Sequence, residues 1–237
     1  MGPDAVKFLN SICVNDFTKL TTKGMRHAIL CNDKGQILTD GVCIRIAEDR
    51  YRTYWLTPVI NYYMSVTDLN VHGEDMTDKE YFIQVDGERS LEILENAFQQ
   101  DLLDIRFATH RQIDVDGKKV EVIRLSMTGD LGYELHGNIS EFAEIYEKVW
   151  EAGQKFGATR LGLHNYSLNN HTECGFPNIN LHYPLPWLES GEGMAEFMRQ
   201  NPAISFYNLC RVLRGSVGDD LESRFVSPYE PGCDSVI

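Results

Sequence analysis

The chain has 237 residues, 43% of them hydrophobic and 24% charged, which allows one large domain or two small ones with real cores. Thirty-five acidic against 22 basic residues leave a formal net charge of −13. That argues against a nucleic-acid partner, because releasing counterions from a polyanion needs clustered Lys and Arg. No apolar run approaches the ~18 residues that cross a bilayer, and no signal-peptide pattern opens the chain, so no membrane partner and a cytoplasmic location are expected. The six cysteines form no CxxC, and the apolar surroundings of Cys13, Cys31 and Cys43 read as reduced core thiols.

In chain order, Pro3–Asp4 followed by Ala5, Val6, Phe8 and Leu9 predicts a short amphipathic helix. MRHAILC (Met25–Cys31) and Ile37–Ile46 predict two strands joined by a hairpin at Asn32–Gly35, with Gly35 at the positive-φ position. A third strand is expected at Tyr51–Thr57 and a helix at Pro58–Leu69. The middle of the chain reads as one β-α-β-β-β-α unit, with strands near Tyr81–Val85, Phe107–Val115, Lys119–Leu125 and Tyr133–His136. Its helices are expected at Ser90–Phe98 and from Ser140 to Phe156, where Gly157 stops the second. Glu192–Arg199 predicts a short helix and Gly215–Asp220 a turn.

The stretch RLGLHNYSLNNHTECGFPNINLHYPLPW (Arg160–Trp187) fits neither a clean amphipathic helix nor a clean strand. Its amides and imidazoles interleave with aromatic and proline residues, the composition of a polar cavity wall rather than of a solvated linker. His164, His171, Glu173 and His182 match no HExxH pattern and no closed ligand set, so no metal is expected. Tyr166 reads as a buried tyrosine or as a general acid. MTGDLGYEL (Met127–Leu135) has neither P-loop nor dinucleotide-fold spacing and reads as a tight turn. Glu134 on the strand beside it offers two carboxylate oxygens, which suit an aminopyrimidinone ring. Asp40 inside an apolar strand needs a partner or a task, and Arg45 is the expected counter-charge or the anchor of an anionic substrate.

GPDAVKFL, VNDF, CNDKGQILTDGV, TGDLGYEL and SPYEPG, in this order, resemble the glycine-cleavage T-protein (aminomethyltransferase) family. RLGLHNYSLNNHTECGFPNINLHY resembles the branch of tetrahydrofolate-dependent aryl O-demethylases acting on vanillate, 3-O-methylgallate and syringate. The resemblance implies an α+β fold of two related antiparallel-sheet and helix lobes. One lobe is split over residues 1–77 and 158–237, and the other is inserted at 78–157. It implies tetrahydrofolate as cofactor, with Glu134, Glu173 and Tyr133 near the pterin. Tyr166 and Asp40 are the implied catalytic residues, and Arg45, His164 and His171 the implied contacts to a methoxy-aromatic acid that donates its methyl group. Thr39 stands where T-proteins carry the first of two acids, which favours a methyl ether over an aminomethyl donor. The register from Gly162 to Glu173 is one residue longer than the branch pattern. The family's N-terminal extension and C-terminal β-rich domain have no counterpart here, so a fragment is expected. The alternatives are a T-protein-type aminomethyltransferase, which alone calls for a lipoyl carrier protein, and a folate-binding module without catalysis.

Overall fold

The structure, a computed structural model, describes residues 1–179, 181–205, 207 and 225–230, without the side chain of His164. The expected turn at Gly215–Asp220, with Cys210 and Cys233, lies outside the described residues. Helices and antiparallel sheets are mixed, as the α+β expectation holds, and the chain divides into two compact units. The first comprises Met1–Gly73 and Phe176–Ile237, the second Glu74–Gly175.

In the first unit, α1 (Ala5–Ile12) turns Ala5, Phe8 and Leu9 inward. Asp4 does not cap it through its side chain; its carboxylate instead accepts the backbone N–H of Asn70. Strands β1 (Met25–Cys31), β2 (Ile37–Ala47) and β3 (Arg50–Tyr54) form an antiparallel sheet in that order. The β1–β2 turn follows its expected chemistry. Gly35 has φ of 74°, and the Asn32 side-chain oxygen accepts the N–H groups of Lys34 and Gln36. The central strand β2 is buried along Ile37–Ile44. Helix α2 (Val59–Val66) follows. After the second unit the chain returns to add Leu185 and Trp187 to this core, with the Trp187 indole N–H donating to the Leu38 carbonyl at 2.6 Å. Three buried or half-buried thiols, Cys13, Cys31 and Cys43, are free, and burial pushes Cys13 up to about 12 and Cys31 to about 11.

The second unit runs β4 (Glu80–Asp86), α3 (Ser90–Phe98), β5 (His110–Val115), β6 (Lys118–Ile123), β7 (Gly132–Asn138) and α4 (Phe142–Gln154). Its sheet is antiparallel with order β4-β7-β6-β5. Strand alternation gives it two unlike faces. Tyr81, Ile83, Tyr133, Leu135, Val120, Val122, Ile113 and Val115 join Ile93 and Leu94 of α3 and Ile145 and Val149 of α4 in one apolar core. The opposite face carries Phe82, Gln84, Asp86, Glu134, His136, Glu121 and His110.

Residues 158–175, expected with the split lobe, group instead with the second unit. Ala158 packs near Gly153, Asn170 bonds to Asp86, and Tyr166 lies against Phe82. This segment is a helical run of mixed pitch: α5 (Gly162–His164), a π-helical stretch at Asn165–Asn170, and α6 (His171–Cys174), closed by Gly175 at φ 69°. Its polar side chains bond along the run, Asn165 to the Leu161 carbonyl, Asn169 to Asn165 and Thr172 to the Leu168 carbonyl. That competition with the ladder accounts for a pattern that reads as no regular helix.

Candidate functional site

The polar face of the second sheet is built by register. Gln84 of β4 pairs with Glu134 of β7, and Glu134 with Ile123 of β6. One pleat along, Phe82 pairs with His136 and His136 with Glu121. Glu134 is 0% exposed and His136 3% exposed. The His136 Nε2–H donates to Glu134 Oε2 at 3.2 Å. Glu134 Oε1 has no hydrogen-bond partner among the described residues. A buried carboxylate oxygen left in this state is unfavourable and points to a donor from elsewhere. Beside this pair, His110 Nδ1 and Glu121 Oε1 form a second buried contact at 2.6 Å.

Asp86 closes the other end of the face. Its Oδ1 accepts the Ser126 hydroxyl at 2.9 Å and the Gln84 amide at 3.0 Å, and its Oδ2 accepts from Asn170 at 3.3 Å. Burial raises its carboxyl above the usual range, against the lowering effect of Ser126 and Gln84 and with a further rise from Glu134 and Asp130. Gly132, directly opposite Asp86, leaves the room for this contact: a Cβ there would collide with Asp86 Oδ1 and Ser126. The glycine of the TGDLG turn is thus a close-approach residue. Ser126 and Thr128 tie the turn down, through the Thr128 N–H to Ser126 Oγ and the Asp130 N–H to Thr128 Oγ1.

Tyr166, from the π-helical stretch, meets this face. Its ring lies 5.9 Å from Phe82 and 6.4 Å from His171, edge-on to both, and Phe82 in turn lies 5.3 Å from His136. Burial, then the nearby Glu134 and Asp86 carboxylates, push the phenol well above its usual range, so it keeps its proton at neutral pH.

Several expected site residues stand elsewhere. Tyr133 points to the opposite sheet face from Glu134 and is 1% exposed inside the apolar core, so strand alternation removes it from any ligand Glu134 meets. Glu173 is exposed on α6, whereas His171 is buried beside Tyr166. The His164 side chain lies outside the described residues. In the first unit, Arg45 is spent on structure: its guanidinium donates to the carbonyls of Leu20 at 2.8 Å and Glu48 at 2.6 Å and lies over Tyr51. It is not the counter-charge of Asp40, since an odd separation along β2 puts the two on opposite faces. Asp40 instead has His27 Nε2 at 3.6 Å, beside Phe176. Among the described residues no group of three or more His, Cys, Asp or Glu is placed to hold a metal ion.

Sequence reasoning missed His136, Gln84, Asp86 and His27. His136 was within reach, two residues from Glu134 in a strand and therefore on its face. The others come from pairing register, which no local pattern reveals.

The chain matches the GCVT N-terminal domain family over residues 1–178. It is 51% identical over 236 residues to a sesamin methylene transferase from Sinomonas sp. (strain No.22), covering 100% of this chain and 52% of the relative. It is 25% identical over 243 residues to a syringate O-demethylase from Sphingobium sp. (strain NBRC 103272 / SYK-6), covering 98% and 52%. The chain thus spans about half the length of these curated relatives. The crystal structure of glycine cleavage system aminomethyltransferase T from Bartonella henselae superposes with a TM-score of 0.62 at 17% identity, covering 89% of this chain and 59% of that one, a likeness of fold. On sequence and fold together, the chain belongs to the GCVT N-terminal domain family.

Proposed function

We propose that this chain is the folate-binding part of a tetrahydrofolate-dependent one-carbon transferase. In this reading the carbon is taken from the ether oxygen of an aromatic donor, as a methyl or a methylene group. The observation that carries the proposal is the Glu134 Oε1 atom, wholly buried and without a partner among the described residues. An orphaned carboxylate oxygen fits the N–H edge of a pterin, which presents donors and no competing negative charge. Tetrahydrofolate, when bound, supplies the amine nitrogen that takes up the carbon. The names of the relatives support transfer of a single carbon, one speaking of a methylene and the other of an O-linked methyl.

The protein's own groups divide the remaining work. His136 holds Glu134 Oε2 and leaves Oε1 for the ligand. Tyr166 gives its proton to the departing phenolic oxygen, which is a poor leaving group without it. Its elevated pKa makes it a weak acid but guarantees that the proton is present. For a methyl donor, ether C–O plus amine N–H become phenol O–H plus N–C, so the exchange is proton-neutral and Tyr166 ends reprotonated. His171, buried beside Tyr166, is suited to the acidic group of an aromatic acid. Prealignment of the two reactants contributes the larger share, up to ~7–11 kcal/mol.

The test is incubation of the chain with tetrahydrofolate and a panel of aryl ethers comprising syringate, vanillate and sesamin. Release of a free phenol with the carbon recovered on tetrahydrofolate supports the proposal. Tetrahydrofolate binding with no transfer from any donor selects a non-catalytic folate module, and transfer only from an aminomethyl-lipoyl protein selects a T-protein.

A further inference from the structure

Gln84 stands directly across the β4–β7 pairing from Glu134. Its amide nitrogen is used twice, donating to Asp86 Oδ1 at 3.0 Å and to the Leu125 carbonyl at 3.1 Å. Both partners are acceptors, so the amide has one possible orientation, and its Oε1 is turned away from them. That oxygen is buried and, like Glu134 Oε1, has no hydrogen-bond partner among the described residues. Two orphaned acceptors therefore sit on neighbouring strands at facing positions, where Cβ atoms are ~5 Å apart.

A carboxylate with both oxygens open takes two parallel N–H donors by itself. Here His136 already donates to Glu134 Oε2, whereas Glu134 Oε1 and Gln84 Oε1 are both without a partner among the described residues. We infer that Gln84 Oε1 supplies a second acceptor, and that Gln84 and Glu134 together select a heterocycle edge carrying adjacent N–H donors. For the folate ligand of the preceding proposal, on which this inference rests, Gln84 Oε1 takes the 2-amino group and Glu134 Oε1 the neighbouring ring N–H. Asp86 and Leu125 are the groups that aim the Gln84 oxygen.

The test is calorimetry on the full chain with two probes, tetrahydrofolate and its 2-deamino analogue, for the wild type and Gln84→Met. Methionine keeps the length of the side chain and removes the acceptor. The wild type is expected to prefer tetrahydrofolate by about tenfold, the worth of one buried hydrogen bond. Q84M is expected to hold the two probes within about twofold. A merely structural role for Gln84 lowers both affinities together and keeps their ratio, and that result overturns the inference, as does a wild type that binds both probes equally. Should Q84M lose its native circular dichroism, Gln84→Asn, which withdraws the amide by one methylene, is read in the same way. Failure of the wild type to bind tetrahydrofolate at all sinks the folate reading itself, and this inference with it.

Discussion

His136 and Glu134 lie two residues apart on the polar face of β7, and the imidazole donates to one carboxylate oxygen while the other, fully buried, has no partner among the described residues. This arrangement leaves one carboxylate oxygen open to a donor. The consequences for ligand, proton and stability are separable.

Tyr166→Phe is predicted to lower carbon transfer by ~10²–10⁴-fold, the range for loss of a positioned acid, with tetrahydrofolate affinity unchanged within about twofold. The tyrosinate absorbance of wild type minus Y166F checks the protonation claim. It should show little ionisation at pH 10.0, the ordinary tyrosine value, because burial raises this phenol.

Asp86→Asn reports on the buried carboxyl through pH. The folded-state pKa is raised, so the folded protein holds this proton more tightly than the unfolded chain does. The stability Asp86 contributes is complete below 3.8 and is lost as pH rises through the raised value. D86N, which does not titrate, should gain on the wild type as pH climbs from 3.8 to neutrality in a series of urea melts. A stability difference flat with pH contradicts the burial argument.

Gly132→Ala is predicted to destabilise the chain by ~1–3 kcal/mol, the usual range for overpacking, because its Cβ meets Asp86 and Ser126. Thermal melts measure it. The same change at Gly35 crowds nothing and strains only the positive φ, so it should be milder.

Arg45→Met tests the structural assignment of that guanidinium. Loss of its bonds to Leu20 and Glu48 should lower stability by ~1.5–3 kcal/mol, the range for hydrogen bonds to a charged group. Affinity for an aromatic acid donor should not change. A raised KM at unaltered stability would return Arg45 to the substrate.

The elements were legible where one local signal sufficed. The hairpin turn Asn32–Gly35 leads into the expected strand Ile37–Ile46, which is buried over Ile37–Ile44, and the stripe Ile145, Val149 and Ala152 marks a helix face. The site was legible in part. Glu134 beside a glycine turn and Tyr166 in an amide-rich stretch stood out, but which sheet face each neighbour occupies was overlooked. Adjacent strand residues never share a face, so Tyr133 and Glu134 do not meet one ligand side by side, and Asp40 and Arg45 part for the same reason. Gln84, Asp86 and the unpartnered oxygen of Glu134 depend on strand register, and the π-helical stretch on side chains that bond along the run. Neither is written in local periodicity.

Glu134→Gln in a calorimetric titration with tetrahydrofolate measures the central claim most directly. Replacing the charged acceptor should weaken binding by ~10–100-fold while the fold, followed by circular dichroism, is retained. Unchanged affinity in a folded E134Q would show that the buried oxygen faces no pterin.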